Sequence, residues 1–302
     1  MTLNEVIDRN AADIAFIAGN GINRFPNNPK AISWDDLLLK LWKQFAPDRF
    51  TKIPKGVTLT EFYDLLDIAN SNKPGIPYAI QKEAARLLSG WSFLPHHAAF
   101  IRKAHQLGAP VLTTNFDLVL PETMNLRLLH TSTDHFTDFY PWTTYYSDRR
   151  LTSPAQGFGI WYINGFVRYP RSIRLGLSHY MGSVEKARAY LHKGGDGRLF
   201  GGESPEDWRG AHTWLHILFH RSLCIFGLGL EENEVFLRWL LIERAKYYKK
   251  FPARKKKGWY VAPRPENPDD RAMGKMQFLQ GMGFELVEVD HFEHIYDIPW
   301  RL

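Results

Sequence analysis

Ile14-Ala15-Phe16-Ile17-Ala18-Gly19-Asn20-Gly21-Ile22-Asn23-Arg24 opens on five apolar residues and breaks at two glycines flanking one asparagine. A short apolar run closed by a turn signal reads as a strand buried on both faces, which is how strands of a parallel sheet read. Glycine lets the backbone approach an anion, and amide hydrogens with a following helix start can bind a pyrophosphate there. A plain tight turn explains the glycine pair equally well. The third glycine of the dinucleotide fingerprint is missing, because Arg24 takes its place and brings a guanidinium suited to a charge-assisted contact.

Outward from this strand the chain alternates. Ser33-Trp34-Asp35-Asp36 predicts a helix start: the serine caps free amide hydrogens, and the aspartates suit the positive dipole end. Helical patterns follow near 60–69 and 77–88, and the stretch from about 51 to 90 reads as a helical insertion within a single domain. A helix near 96–107 leads through Gly108 into a strand at 110–113. Residues 127–156 are aromatic and turn-rich, with no clear assignment. A strand at 161–163 turns at Asn164-Gly165. A helix is expected at 183–192, and Ser204-Pro205-Glu206-Asp207 predicts another running to about His220. A buried strand at 223–226 ends in Gly227-Leu228-Gly229 and precedes a helix at 231–246. A strand at 259–262, a helix around 268–280 and a strand at 284–289 complete the pattern. Strands separated by helices of this length imply an α/β, Rossmann-like fold: a mostly parallel sheet, right-handed crossovers and helices on both faces.

The 302 residues carry 44% hydrophobic and 23% charged side chains, which excludes disordered and low-complexity classes. The apolar run 223–230 is far short of the roughly 20 residues that span a bilayer, so no membrane association is expected. No secretory leader pattern opens the chain. The one cysteine, Cys224, excludes an internal disulfide and a four-cysteine zinc site, and its apolar run favours an inert buried thiol. These features point to the cytoplasm. The net charge of +6 concentrates at Lys246-Tyr247-Tyr248-Lys249-Lys250 and Arg254-Lys255-Lys256-Lys257. A solvated helix end is the favoured reading. Nucleic-acid binding, with Tyr247, Tyr248 and Trp259 as stacking partners, is the sharper alternative.

In open α/β sheets ligands bind beyond the carboxyl ends of the strands. Gly19-Asn20-Gly21, Thr113-Thr114-Asn115-Phe116-Asp117, Asn164-Gly165 and Gly227-Leu228-Gly229 all fall there. Asp117 reads locally as a cap for the next helix, whereas Asn115, whose amide both donates and accepts, is favoured as a ligand contact.

In this order the marks resemble the bacterial sirtuin-like NAD-binding family, in particular its defence-associated branch that hydrolyses NAD. The resemblance rests on Ala18-Gly19-Asn20-Gly21-Ile22-Asn23 and the Ser-Trp-x-x-Leu-Leu start at 33–38. Val111-Leu112-Thr113-Thr114-Asn115-Phe116-Asp117 is its most specific mark. Asn164-Gly165 with Ser178-His179-Tyr180, and the Phe-Gly-x-x-Leu turn with acids at 226–232, complete it. It implies NAD, without metal, as substrate or ligand, and a role in antiphage or stress defence. A protein partner or homo-oligomer is implied as well. Asn115 and Asn164 would be catalytic. Gly19, Asn20, Gly21, Ile22, Asn23, Arg24, Thr114, Asp117, Gly165, Gly227, Leu228 and Gly229 would bind the dinucleotide.

Three positions depart from the family. Asn20 and Asn23 stand where alanine and serine are usual, the zinc cysteines of protein deacylases are absent, and Asn164 replaces the expected histidine. Nicotinamide leaves NAD as a neutral molecule, so no general acid is required. A histidine also accepts a proton, help worth typically about 10²–10⁴-fold, and an asparagine amide accepts none. Hydrolysis therefore requires another base, and His130, His135 and His179 are the candidates in the sequence. The alternative is a catalytically silent nucleotide sensor or scaffold acting through partners.

Overall fold

Eight strands hydrogen-bond into one sheet in the computed structural model, which describes residues 1–47, 49–71, 75, 77–134, 136–201, 204–232 and 234–301. In chain order they are β1 (Ile14–Ala18), β2 (Val111–Thr113), β3 (Arg127–His130), β4 (Thr144–Ser147), β5 (Ile160–Tyr162), β6 (Ser222–Phe226), β7 (Gly258–Pro263) and β8 (Glu285–Val289). The lateral order is β3-β4-β5-β2-β1-β6-β7-β8. Strands β5, β2, β1, β6, β7 and β8 are parallel, and β4 pairs antiparallel with both its neighbours. The architecture is thus α/β with a mostly parallel sheet, consistent with a Rossmann-like arrangement. From central β1 the chain moves to β2 on one side and later fills β6, β7 and β8 on the other. The sheet therefore has a topological switch point at β1, where the loops leaving its strands part and leave a crevice.

Side chains alternate across each strand, and the sheet buries both faces. Ala15, Ile17, Leu223 and Ile225 face one apolar cluster with the helices Leu177–His192 and Val235–Lys250. Ile14, Phe16, Ala18, Cys224 and Phe226 face the other, with the helices Leu3–Asn10 and Pro95–Gln106. Trp300, fully buried, closes this second cluster by meeting Phe16, Phe100 and Phe226 edge-on or tilted at 4.8–5.4 Å. A third apolar cluster joins the helices Trp34–Phe45, Leu59–Asn70 and Ala79–Leu88 to Ile173 and Leu175 of the segment after β5. The Ser33 hydroxyl caps the first of these, accepting from the Asp36 amide at 3.1 Å. This helical layer includes the stretch expected at 51–90, with Trp34–Phe45 joined to it.

One local expectation gives way. The helix predicted from Ser204 begins only at Leu215 and ends at His220. Residues before it fold as turns, tied back by the Trp208 indole donating to His216 Nδ1 (3.1 Å) and by Glu206 paired with His216 (3.0 Å). The aromatic segment 127–156 supplies the edge hairpin β3–β4. In the basic stretch, Tyr247, Tyr248 and Trp259 are buried in the core, so the stacking partners of the nucleic-acid alternative are enclosed. Lys246 pairs with Glu243 and Lys256 with Asp13. Among the described residues no helix is long and apolar enough to cross a membrane.

Candidate functional site

The carboxyl ends of β1, β2, β5 and β6 converge on one cavity of about 400 Å³. Asn20, Gly21 and Arg24 enter from β1, Thr114, Asn115 and Asp117 from β2, Asn164 from β5, and Gly227, Leu228 and Gly229 from β6. The helical layer supplies the opposite wall, through Ser33, Trp34, Leu88 and Trp91. A second cavity of about 560 Å³ adjoins it across Gly21, Arg24 and Ile32, and is walled on its far side by Phe25, Phe292 and Tyr296. Arg24, exposed, lines both.

Asn115 is positioned by its neighbours. The Thr113 hydroxyl donates to the Ala18 carbonyl (2.8 Å) and accepts from the Asn115 amide hydrogen (3.1 Å), which pins the end of β2 to the end of β1. The Asn115 side chain is buried against the cavity, and its Nδ2 has no hydrogen-bond partner. Leaving a buried donor unmet costs about 1–3 kcal/mol, so an acceptor brought to this amide would relieve that cost. The Trp34 indole nitrogen, on the opposite wall, is likewise unpartnered. Asn164 is buried, and its carbonyl accepts from the Arg174 amide at 2.9 Å. The turn behind it requires glycine: Gly165 has φ +83°, and a Cβ there would meet the Ser172 carbonyl oxygen at 2.0 Å.

Gly19, Ile22, Asn23 and Gly165, all expected at the ligand, do not line this cavity. Gly19 and Gly21 spend their amide hydrogens on the Phe226 and Gly227 carbonyls, at 3.0 and 2.8 Å. These two amides therefore lock the β1 and β6 loops together, where the sequence suggests a phosphate cradle. Gly21 is fixed by that contact, since a Cβ would lie 2.2 Å from Tyr296 Oη and 2.8 Å from Gly227 Cα. The Ile22 carbonyl faces His96 Nε2 at 2.8 Å.

Asn23 belongs to a buried relay. The Leu94 amide donates to His97 Nδ1 (2.9 Å), leaving His97 Nε2 to donate to Asn23 Oδ1 (3.2 Å). Asn23 Nδ2 then donates to Asp117 Oδ2 (2.8 Å), and the Val119 amide to Asp117 Oδ1 (2.9 Å). Asp117 thus caps the next turn, as its local reading suggests, while also reaching the cavity wall. Burial raises its carboxyl to about 6 despite these donors, and burial lowers His97 to about 3.

Two of the histidines considered as bases, His130 and His179, stand outside this cavity. His130 is on the edge strand β3 beside Thr144 Oγ1 (3.1 Å). His179 packs on Tyr63 and meets Gln81, with burial lowering it to about 4. His135 lies outside the described residues. The sequence reading missed Glu234, which follows the Gly227-Leu228-Gly229 turn and lines the cavity. Its signal was the run of acids behind that turn, which does not reveal which carboxylate the fold encloses. Burial raises Glu234 to about 7. Among the described residues no group of three or more histidine, cysteine or acidic side chains is arranged to hold a metal ion.

No protein-family model matches the sequence, and no curated protein matches it.

Proposed function

We propose that this chain binds NAD in the crevice at the carboxyl ends of β1, β2, β5 and β6 and hydrolyses its nicotinamide glycosidic bond. The observation that carries the reading is the buried, unpartnered Asn115 Nδ2 in a cavity shared with Asn164. Two adjoining cavities suit the two halves of a dinucleotide, each within the few hundred to 1,000 Å³ of ordinary ligand sites. The nicotinamide riboside half would occupy the cavity of Asn115, whose amide donates to a ribose hydroxyl. Arg24, on the shared wall, would meet the pyrophosphate, because the Gly19 and Gly21 amides are already engaged.

Nicotinamide release from NAD by the purified chain is the direct test. Asn115→Ala is expected to lower kcat by at least about 10²-fold, the scale of a lost positioning contact. Asn164→His is expected to keep or raise the rate. Wild-type turnover that survives Asn115→Ala contradicts the reading. Asn164, in place of an imidazole, favours a second one: a nucleotide sensor that binds NAD and releases no nicotinamide, with or without partners.

A further inference from the structure

We propose that the Glu234 carboxylate, at the head of the helix Val235–Lys250, is the general base that takes the proton of the attacking water. The inference rests on the hydrolase reading above and answers the question Asn164 raises.

The cavity wall offers four acids, Asp35, Asp117, Glu231 and Glu234. Asp117 is committed to the Asn23 side chain and the Val119 amide. Glu231 is held by Lys275 at 3.1 Å and Arg271 at 3.2 Å. Asp35 is exposed in the first turn of its helix. Among the described residues, no hydrogen bond or ion pair engages the Glu234 carboxylate. It is half-buried, and its neighbour from the helix Leu177–His192 is Tyr180, whose hydroxyl donates away to the Arg174 carbonyl (3.0 Å). One turn along its own helix, the Arg238 guanidinium is turned to the Leu230 carbonyl (2.9 Å). Arg24 is the cation of the same wall, on the side that adjoins the second cavity. A half-buried carboxylate without a cationic partner has its pKa raised by burial, here to about 7, which lets it exchange a proton at physiological pH.

The step balances. The bond from the ribose C1′ to the nicotinamide nitrogen breaks, and its electron pair stays on that nitrogen, so the ring leaves neutral. The water oxygen bonds C1′ while one water proton passes to Glu234, which returns it to solvent. The products are ADP-ribose, nicotinamide and one proton.

The test follows nicotinamide release by the full chain from about pH 5.5 to 8.5, with NAD binding measured in parallel. Wild-type kcat should rise with pH and pass its midpoint near 7. Glu234→Gln should lower kcat by about 10²–10⁴-fold and abolish the pH limb while NAD still binds. Glu234→Asp, which keeps a carboxylate set back by one methylene, should recover part of the rate and restore a limb. A Glu234→Gln protein with wild-type kcat and an unchanged limb overturns this inference and leaves the hydrolase reading standing. A wild type that binds NAD and releases no nicotinamide overturns both.

Discussion

If NAD binds as proposed, Arg24 separates its binding from folding better than any glycine of the β1 turn. Its side chain is exposed and lines both cavities, whereas Gly21 is wedged between Gly227 and Tyr296. A charge-assisted hydrogen bond is worth about 1.5–3 kcal/mol, so Arg24→Ala should raise the NAD dissociation constant by about 10- to 100-fold. Calorimetric titration reads the affinity, and the urea midpoint should stay near wild type. The same residue scale shows what the sequence could carry. Asn115 was legible because a strand end with two threonines and an asparagine places polar groups at a sheet edge. Asn23 turns away from the cavity because its direction depends on His97 and Asp117, residues 74 and 94 positions away. No local pattern records such a partner.

The relay between the loop after β1, the helix Pro95–Gln106 and the loop after β2 makes stability depend on pH. His97 titrates at about 3 in the fold, against an ordinary value near 6.5. Its contribution is therefore full above about pH 6.5 and is lost as the pH falls from there toward 3, when the unfolded chain binds the extra proton. Asp117 acts in the opposite sense. Its folded value of about 6 lies above that of an unfolded aspartate, so acidification from about 6 to 4 restores stability. His97→Gln should flatten the loss of unfolding free energy between pH 6.5 and 5 by about 2 kcal/mol. Asp117→Asn should steepen it, and urea titrations at each pH distinguish the two. At this scale the alternation of elements was readable from apolar runs and caps. The false helix start at Ser204 shows the limit: capping residues permit a helix, and the ties from Trp208 and Glu206 to His216 hold that segment in turns.

Across the molecule, the order of strands and turns let the sequence bring four distant loops to one sheet edge. It was silent on the depth of the crevice and on which acid is enclosed, because both follow from how the helical layer sits over the strand ends. The cavity has its floor in the sheet and its roof on helices packed in the third apolar cluster. That arrangement makes a bound ligand a mechanical strap between the sheet and the helical layer over it. Such a layer can open locally without unfolding the sheet, and a ligand bonded to both sides must raise the free energy of that opening. Amide exchange along Trp34–Phe45 and Ala79–Leu88 should slow when NAD is added, with little change in β1 and β6. Trp42, fully buried and stacked on Phe62 at 5.1 Å, anchors the roof. Trp42→Ala, at a cost of about 3–5 kcal/mol, should speed exchange in those helices and weaken NAD binding while the sheet remains protected. Affinity would then be tuned by residues that never touch the ligand, through the tightness of a hinged clasp.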